Sequence, residues 1–170
     1  RPADATETAV AWMFAIDRTD GPSLLALSRQ NLPTVTAKAS DADIAKGGYV
    51  LSDCAGEAKI TFIATGSEIK LALDSQAALA AEGIATRVVS MPCTNLFDRQ
   101  DAAYKKAVLG NDKRVAIEAA HPDFWHKYVG TEGAVVGIST FGESAPADKL
   151  FELFGFTVAN VAKTAKALLA

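Results

Sequence analysis

The sequence predicts an α/β fold: a three-layer α/β/α, Rossmann-like domain built on a mostly parallel sheet. Three observations carry this. From Gly47-Gly48 onward, short apolar runs alternate with helical patterns of ten or more residues, the signature of a parallel sheet covered on both faces. Turn residues bound the runs, as in Thr65-Gly66-Ser67 after Ile60-Thr61-Phe62-Ile63-Ala64. The 170 residues, 49% hydrophobic and 22% charged, suffice for a buried core in one domain and a fraction, since domains usually run to roughly 100–200 residues.

The elements follow in order. Val10, Phe14 and Ala15 have helical spacing, with Asp4 or Thr6 as N-cap and Glu7 in the first turn, so residues 4–18 read as a helix. Asp20-Gly21-Pro22 breaks it, and the short apolar run at 23–28 suits a buried strand, with Arg29, Gln30 and Asn31 at its end. The stretch from Pro33 to Lys46 is polar, small and aperiodic, which marks a linker.

Beyond it, Tyr49-Val50-Leu51 and 60–64 read as strands. A helix is expected over 67–82, closed by Gly83, then a strand at 86–90, a helix around 98–108, a strand at 114–118 and another at 134–138. The close is a helix at 147–154, with Ser144 as cap and Pro146 in its first turn, and a final helix at 158–169.

Composition excludes several functions. With 17 Lys+Arg against 20 Asp+Glu, the formal charge of −3 lacks the basic excess that binding a phosphate backbone needs, so nucleic acid is not an expected partner. No apolar run reaches the roughly 18 residues of a membrane span, and no basic n-region precedes an apolar one. Cys54 and Cys93 stand far apart in no Cys-x-x-Cys pair, which suits free thiols in a reducing cytoplasm rather than a disulfide or a zinc site. The chain opens on Arg1 and runs straight into a helix, as a chain entered in mid-sequence would.

Few residues are marked for chemistry. Thr65-Gly66-Ser67 follows a strand and opens a helix, where backbone N–H groups and the helix dipole can hold an anion. It lacks both G-x-G-x-x-G and G-x-x-x-x-G-K-[ST], and Glu68 already places a negative charge there, so a capped structural turn competes with the anion site. Arg29 follows a predicted strand and could hold a phosphate through two hydrogen bonds, although from position alone an arginine there is more often a surface or interface salt-bridge residue. His121 and His126 lie five apart with no metal-binding pattern. Glu118 ends its strand where a switch-point carboxylate could stand, although a salt-bridged or capping role suits it better, and Phe124, Trp125 and Tyr128 have the helical spacing of a cluster packed in a core or a subunit contact. No serine sits in G-x-S-x-G, and no catalytic residue or metal ligand is assigned.

Seven ordered strings then carry a resemblance: Arg1-Pro2-Ala3-Asp4, Leu27-Ser28-Arg29-Gln30-Asn31-Leu32-Pro33, Gly47-Gly48-Tyr49-Val50-Leu51, Ile63-Ala64-Thr65-Gly66-Ser67-Glu68, Arg87-Val88-Val89-Ser90-Met91-Pro92, Phe97-Asp98-Arg99-Gln100-Asp101 and Phe141-Gly142-Glu143-Ser144-Ala145-Pro146-Ala147. Together they resemble the C-terminal portion of transketolase, of bacterial type. The resemblance implies residues 1–33 as the end of a pyrimidine-binding domain, a helix-strand remnant of another α/β domain. It implies 34–46 as a linker and 47–170 as the family's C-terminal domain.

It further implies a cytoplasmic, homodimeric parent enzyme of the pentose phosphate pathway. That enzyme moves a two-carbon ketol unit between sugar phosphates with thiamine diphosphate and a divalent metal, magnesium or calcium. Arg29 matches the family's substrate-phosphate arginine. The family's Gly-Asp-Gly metal motif, its cofactor-activating glutamate and its substrate histidines have no match. The piece is therefore expected to be inactive alone, to bind no cofactor, and to add dimer stability and one phosphate contact. The competing reading is a free-standing α/β module that takes a small anionic ligand at Thr65-Gly66-Ser67.

Overall fold

The computed structural model describes residues 1–110 and 113–170. Five strands, β1 (Tyr49–Ser52), β2 (Ile60–Ala64), β3 (Thr86–Ser90), β4 (Lys113–Ile117) and β5 (Ala134–Val136), form one sheet in the order β1-β3-β2-β4-β5. The last four are parallel, with Ile63 of β2 opposite Val89 on one side and Ala116 on the other. β1 lies antiparallel on β3 and closes that edge.

Every residue of β2 is buried, because a central parallel strand meets helices on both faces. The period of two divides its side chains. Ile60, Phe62 and Ala64 join Val88, Val115 and Ile117 under α3 (Glu68–Ala81) and α8 (Val158–Leu169). Ile63 joins Val89 and Ala116 under α4 (Thr94–Asp98), α5 (Ala102–Leu109) and α6 (His126–Val129), where Phe97, Trp125 and Tyr128 pack with their rings tilted. The three-layer α/β/α expectation is met.

Gly83 ends α3 at φ +77°, and the Ile84 N–H returns to the Leu79 carbonyl at 2.9 Å. Gly47 has φ +82°, and a Cβ there would lie 2.3 Å from the Cys93 carbonyl oxygen, so the turn into β1 needs glycine.

Three local expectations are corrected. Residues 23–28 form no strand: they pair with none of the five strands, and Leu24 is 92% exposed. An extended run becomes a strand only when a neighbour takes up its backbone N–H and C=O groups. The helix expected over 98–108 is two helices, α4 and α5, because the Asp101 carboxylate accepts the Tyr104 N–H at 2.7 Å and restarts the helix. The restart aims the Tyr104 hydroxyl at the Gly48 carbonyl, 2.9 Å away. Before α7 (Ala147–Leu153), Ser144 does not cap; Pro146 itself is the N-cap at ψ +142°, with no side-chain cap bond.

The first 46 residues lie against this body. Asp4 caps α1 (Ala5–Asp17) through the N–H groups of Thr6 and Glu7, at 3.0 and 3.3 Å. Its other oxygen accepts the N–H groups of Val35 and Thr36, at 2.7 and 2.8 Å, and so ties the two ends of the irregular run together. Ser40 caps one helical turn, α2 (Asp41–Ile44), within the polar stretch. Val10, Ile44 and Tyr49 form a small cluster of their own, while Trp12, Met13, Ile16 and Leu27 remain exposed.

Candidate functional site

Open α/β sheets bind ligands beyond the carboxyl ends of their strands, where the strand order reverses. Here β2 is followed by β3 on one side and by β4 on the other, so the reversal lies between β2 and β4. Thr65 and Glu118 stand just past those two ends, and the Thr65 hydroxyl donates to Glu118 Oε2 at 2.6 Å.

Two charged residues from the start of the chain, Arg1 and Glu7, meet this edge. The Arg1 guanidinium pairs with Glu118 and, at 3.1 Å, with Glu68 in the first turn of α3. The Arg1 carbonyl accepts the Gly66 N–H at 3.1 Å. Glu7 reaches over the end of β3: its Oε1 accepts the hydroxyls of Ser90 and Tyr49 at 2.6 and 2.8 Å, and its Oε2 accepts the Ala3 N–H at 2.6 Å.

Burial sets the titration of this cluster. It pushes the carboxyls of Glu7 and Glu68 above their ordinary range, against hydrogen bonds to Glu7 and the Arg1 charge beside Glu68. Asp4 is also partly desolvated, yet the hydroxyl and N–H of Thr36 and the N–H of Val35 outweigh that and hold it low. Burial and the Glu7 carboxylate push the Tyr49 phenol far above its usual value, so it stays a donor.

The turn Thr65-Gly66-Ser67 therefore faces two carboxylates and a guanidinium, and its Gly66 N–H is taken by the chain itself. Arg29 is exposed in a bend and makes no hydrogen bond or ion pair among the described residues. Its neighbours Ser28 and Gln30 share a cavity with Ser67, whereas Arg29 does not line it. His121 and His126 are both exposed, and among the described residues no three His, Cys, Asp or Glu side chains are placed to hold a metal ion. Cys54 and Cys93 are free.

Arg1, Tyr49 and Ser90 were not legible as site residues, because each acts through a partner distant in sequence. The one local signal was Asp4-x-x-Glu7, the spacing of a capping box, which placed a carboxylate in the first turn of α1 without revealing its partners on β1 and β3.

Comparison with known proteins agrees with this architecture. Residues 47–157 match the family described as the transketolase-like TK C-terminal domain. Transketolase 2 of Aliivibrio fischeri is 58% identical over the whole chain, which corresponds to 26% of that protein. The transketolase of Pichia stipitis, solved in complex with sedoheptulose-7-phosphate, superposes on 99% of the chain with a TM-score of 0.90 and 39% identity, using 25% of its own length. A split-gene transketolase, solved as an inactive beta4 tetramer, covers 99% of the chain at 28% identity and a TM-score of 0.79. The chain thus spans about a quarter of the two full-length relatives and about half of the split-gene subunit. It belongs to the transketolase family.

Proposed function

We propose that this chain acts as the C-terminal part of a transketolase that moves a two-carbon ketol unit between sugar phosphates in the pentose phosphate pathway of the cytoplasm. The observation that supports this most is the extent of the likeness: the whole chain, including its irregular first 46 residues, superposes on a complete transketolase. On this reading residues 1–33 complete a pyrimidine-binding domain, residues 34–46 link it onward, and residues 47–170 stabilise a homodimer. The exposed apolar side chains Trp12, Met13, Ile16 and Leu24 are where the remainder of the enzyme would sit. The comparisons do not favour a free-standing anion-binding module.

Thiamine diphosphate and its divalent metal do not fit the residues described here. A diphosphate needs cations or free N–H groups, but the carboxyl edge offers Glu7, Glu68 and Glu118, with Arg1 already shared between the last two. No step is therefore assigned to this chain through the cofactor. Its contribution is positional. Arg29, exposed at the end of an extended run and unpaired among the described residues, holds the substrate phosphate through its planar guanidinium.

Mixing the chain with the missing preceding part of a transketolase, and following ketol transfer, tests the assignment. Activity is expected only in the mixture with thiamine diphosphate and magnesium. Turnover by the chain alone would overturn it.

A further inference from the structure

Arg29 sits on a run that no hydrogen bond holds along its length. Residues 23–34 make no hydrogen bond or ion pair among the described residues, so the run is tied at its two ends. At the entry Arg18, the C-cap of α1, donates through its guanidinium to Asp20 at 2.8 Å and to the Pro22 carbonyl at 2.6 Å. Both bonds are exposed, and exposed pairs hold little.

The exit is tied differently. Asp4 accepts five donors: the N–H groups of Thr6 and Glu7 and the Thr36 hydroxyl on Oδ1, and the N–H groups of Val35 and Thr36, at 2.7 and 2.8 Å, on Oδ2. Asp4 is 7% exposed and Thr36 is wholly buried, so these are dry, charge-assisted bonds. The cap of α1 uses two of the donors, and the other three belong to the exit of the run. One carboxylate thus refers that exit to the start of a helix whose far end is the entry. The 13 residues of α1 span about 20 Å, and the chain from Arg18 has to return over that length to meet Asp4. Fixing the exit closes the loop and confines the residues within it, Arg29 among them.

We infer that Asp4 is a positioning residue for Arg29, its carboxylate fixing the exit of the run and so the reach of the guanidinium toward a sugar phosphate. The inference rests on the proposed phosphate role of Arg29. A two-pronged guanidinium contact needs its partner placed to within about 0.5 Å, which a run released at one end does not supply.

Asp4→Asn is the test. Asparagine caps a helix as well as aspartate does, but its single carbonyl oxygen cannot serve both the cap and the exit, and its NH2 group would face donors. In the 170-residue chain, amide exchange at Val35 and Thr36 should quicken while the amides of α1 keep their protection. In the reassembled enzyme the KM for phosphorylated sugars should rise about fivefold, with kcat and the KM for unphosphorylated analogues within about twofold. Added to Arg29→Ala, the change should raise KM no further, because Asp4 acts through Arg29. If Asp4→Asn does not fold, the isosteric Thr36→Val, which removes one donor to Asp4, is read by the same criteria. An unchanged KM in the folded variant, where Arg29→Ala does raise it, would overturn this inference and leave the role of Arg29 standing. An equal rise for unphosphorylated analogues, or a further rise in the Arg29→Ala background, would also overturn it. An unchanged KM in Arg29→Ala would remove the phosphate role itself, and the inference with it.

Discussion

Ser90, the last residue of β3, donates its hydroxyl to Glu7 on α1 at 2.6 Å, a bond between residues 83 positions apart. Both residues are wholly buried, so this bond and its Tyr49 companion fasten the first helix to the sheet. Ser90→Ala leaves Glu7 one donor short. The loss expected is about 1–3 kcal/mol, read by urea unfolding. An unchanged midpoint would show that water replaces the hydroxyl.

The same carboxylate sets a pH dependence. A carboxyl whose folded value is raised binds more protons folded than unfolded, so stability is lost as pH rises from its ordinary value of 4.5 through the raised one. Asp4, held below its ordinary 3.8, acts oppositely: its contribution is present above 3.8 and lost as pH falls through its folded value. Thermal midpoints should therefore rise from strongly acidic pH to about 4, then decline above 4.5 as Glu7 and Glu68 ionise. Glu7→Gln should flatten the decline, and Asp4→Asn should flatten the rise.

Thr65→Val removes the donor that spans the strand-order reversal and leaves Glu118 with Arg1 as its ion-pair partner. A loss of about 1–3 kcal/mol is expected in denaturant unfolding. Combining it with Arg1→Ala should cost more than the sum of the two single changes, because Glu118 would then be buried with neither partner.

Gly47→Ala combines positive φ with a Cβ 2.3 Å from a backbone oxygen. The turn has to open, at a cost of about 2 kcal/mol or more, with the loss read as a lowered thermal midpoint. Gly56, also at positive φ but with nothing within 4 Å of its Cβ, should cost about 1 kcal/mol when changed to Ala.

Arg29→Ala separates folding from function. The side chain is exposed and unpaired among the described residues, so stability should move by no more than about 0.5 kcal/mol. In the reassembled enzyme the KM for phosphorylated sugars should rise about tenfold or more, with little change for unphosphorylated analogues. Equal effects on both would remove Arg29 from the phosphate site.

Much of the C-terminal body was legible in the residues. β2, β3 and α8 fall where their apolar runs and turn residues place them, because each is buried whole or along one stripe and is bounded by Gly, Ser or Thr. The run at 23–28 was misread as a strand, because its Leu-rich composition reports burial in some sheet and cannot say that the sheet lies within this chain. The break between α4 and α5 was missed because Asp101 suits a helix surface and a cap equally, and only its bond to the Tyr104 N–H separates the two.

Periodicity and capping are local, and they sufficed for the alternating strands and helices, the core stripes and, through ordered strings, the family. The carboxyl-edge cluster is of another kind. Arg1 meets Glu118, Glu7 meets Tyr49 and Ser90, and Asp4 meets Thr36 across 32 to 117 positions, and nothing in the spacing of those residues records the encounter. Folding brings them together because each charge would otherwise be buried without a partner, so the pairing follows from desolvation after the layers have packed.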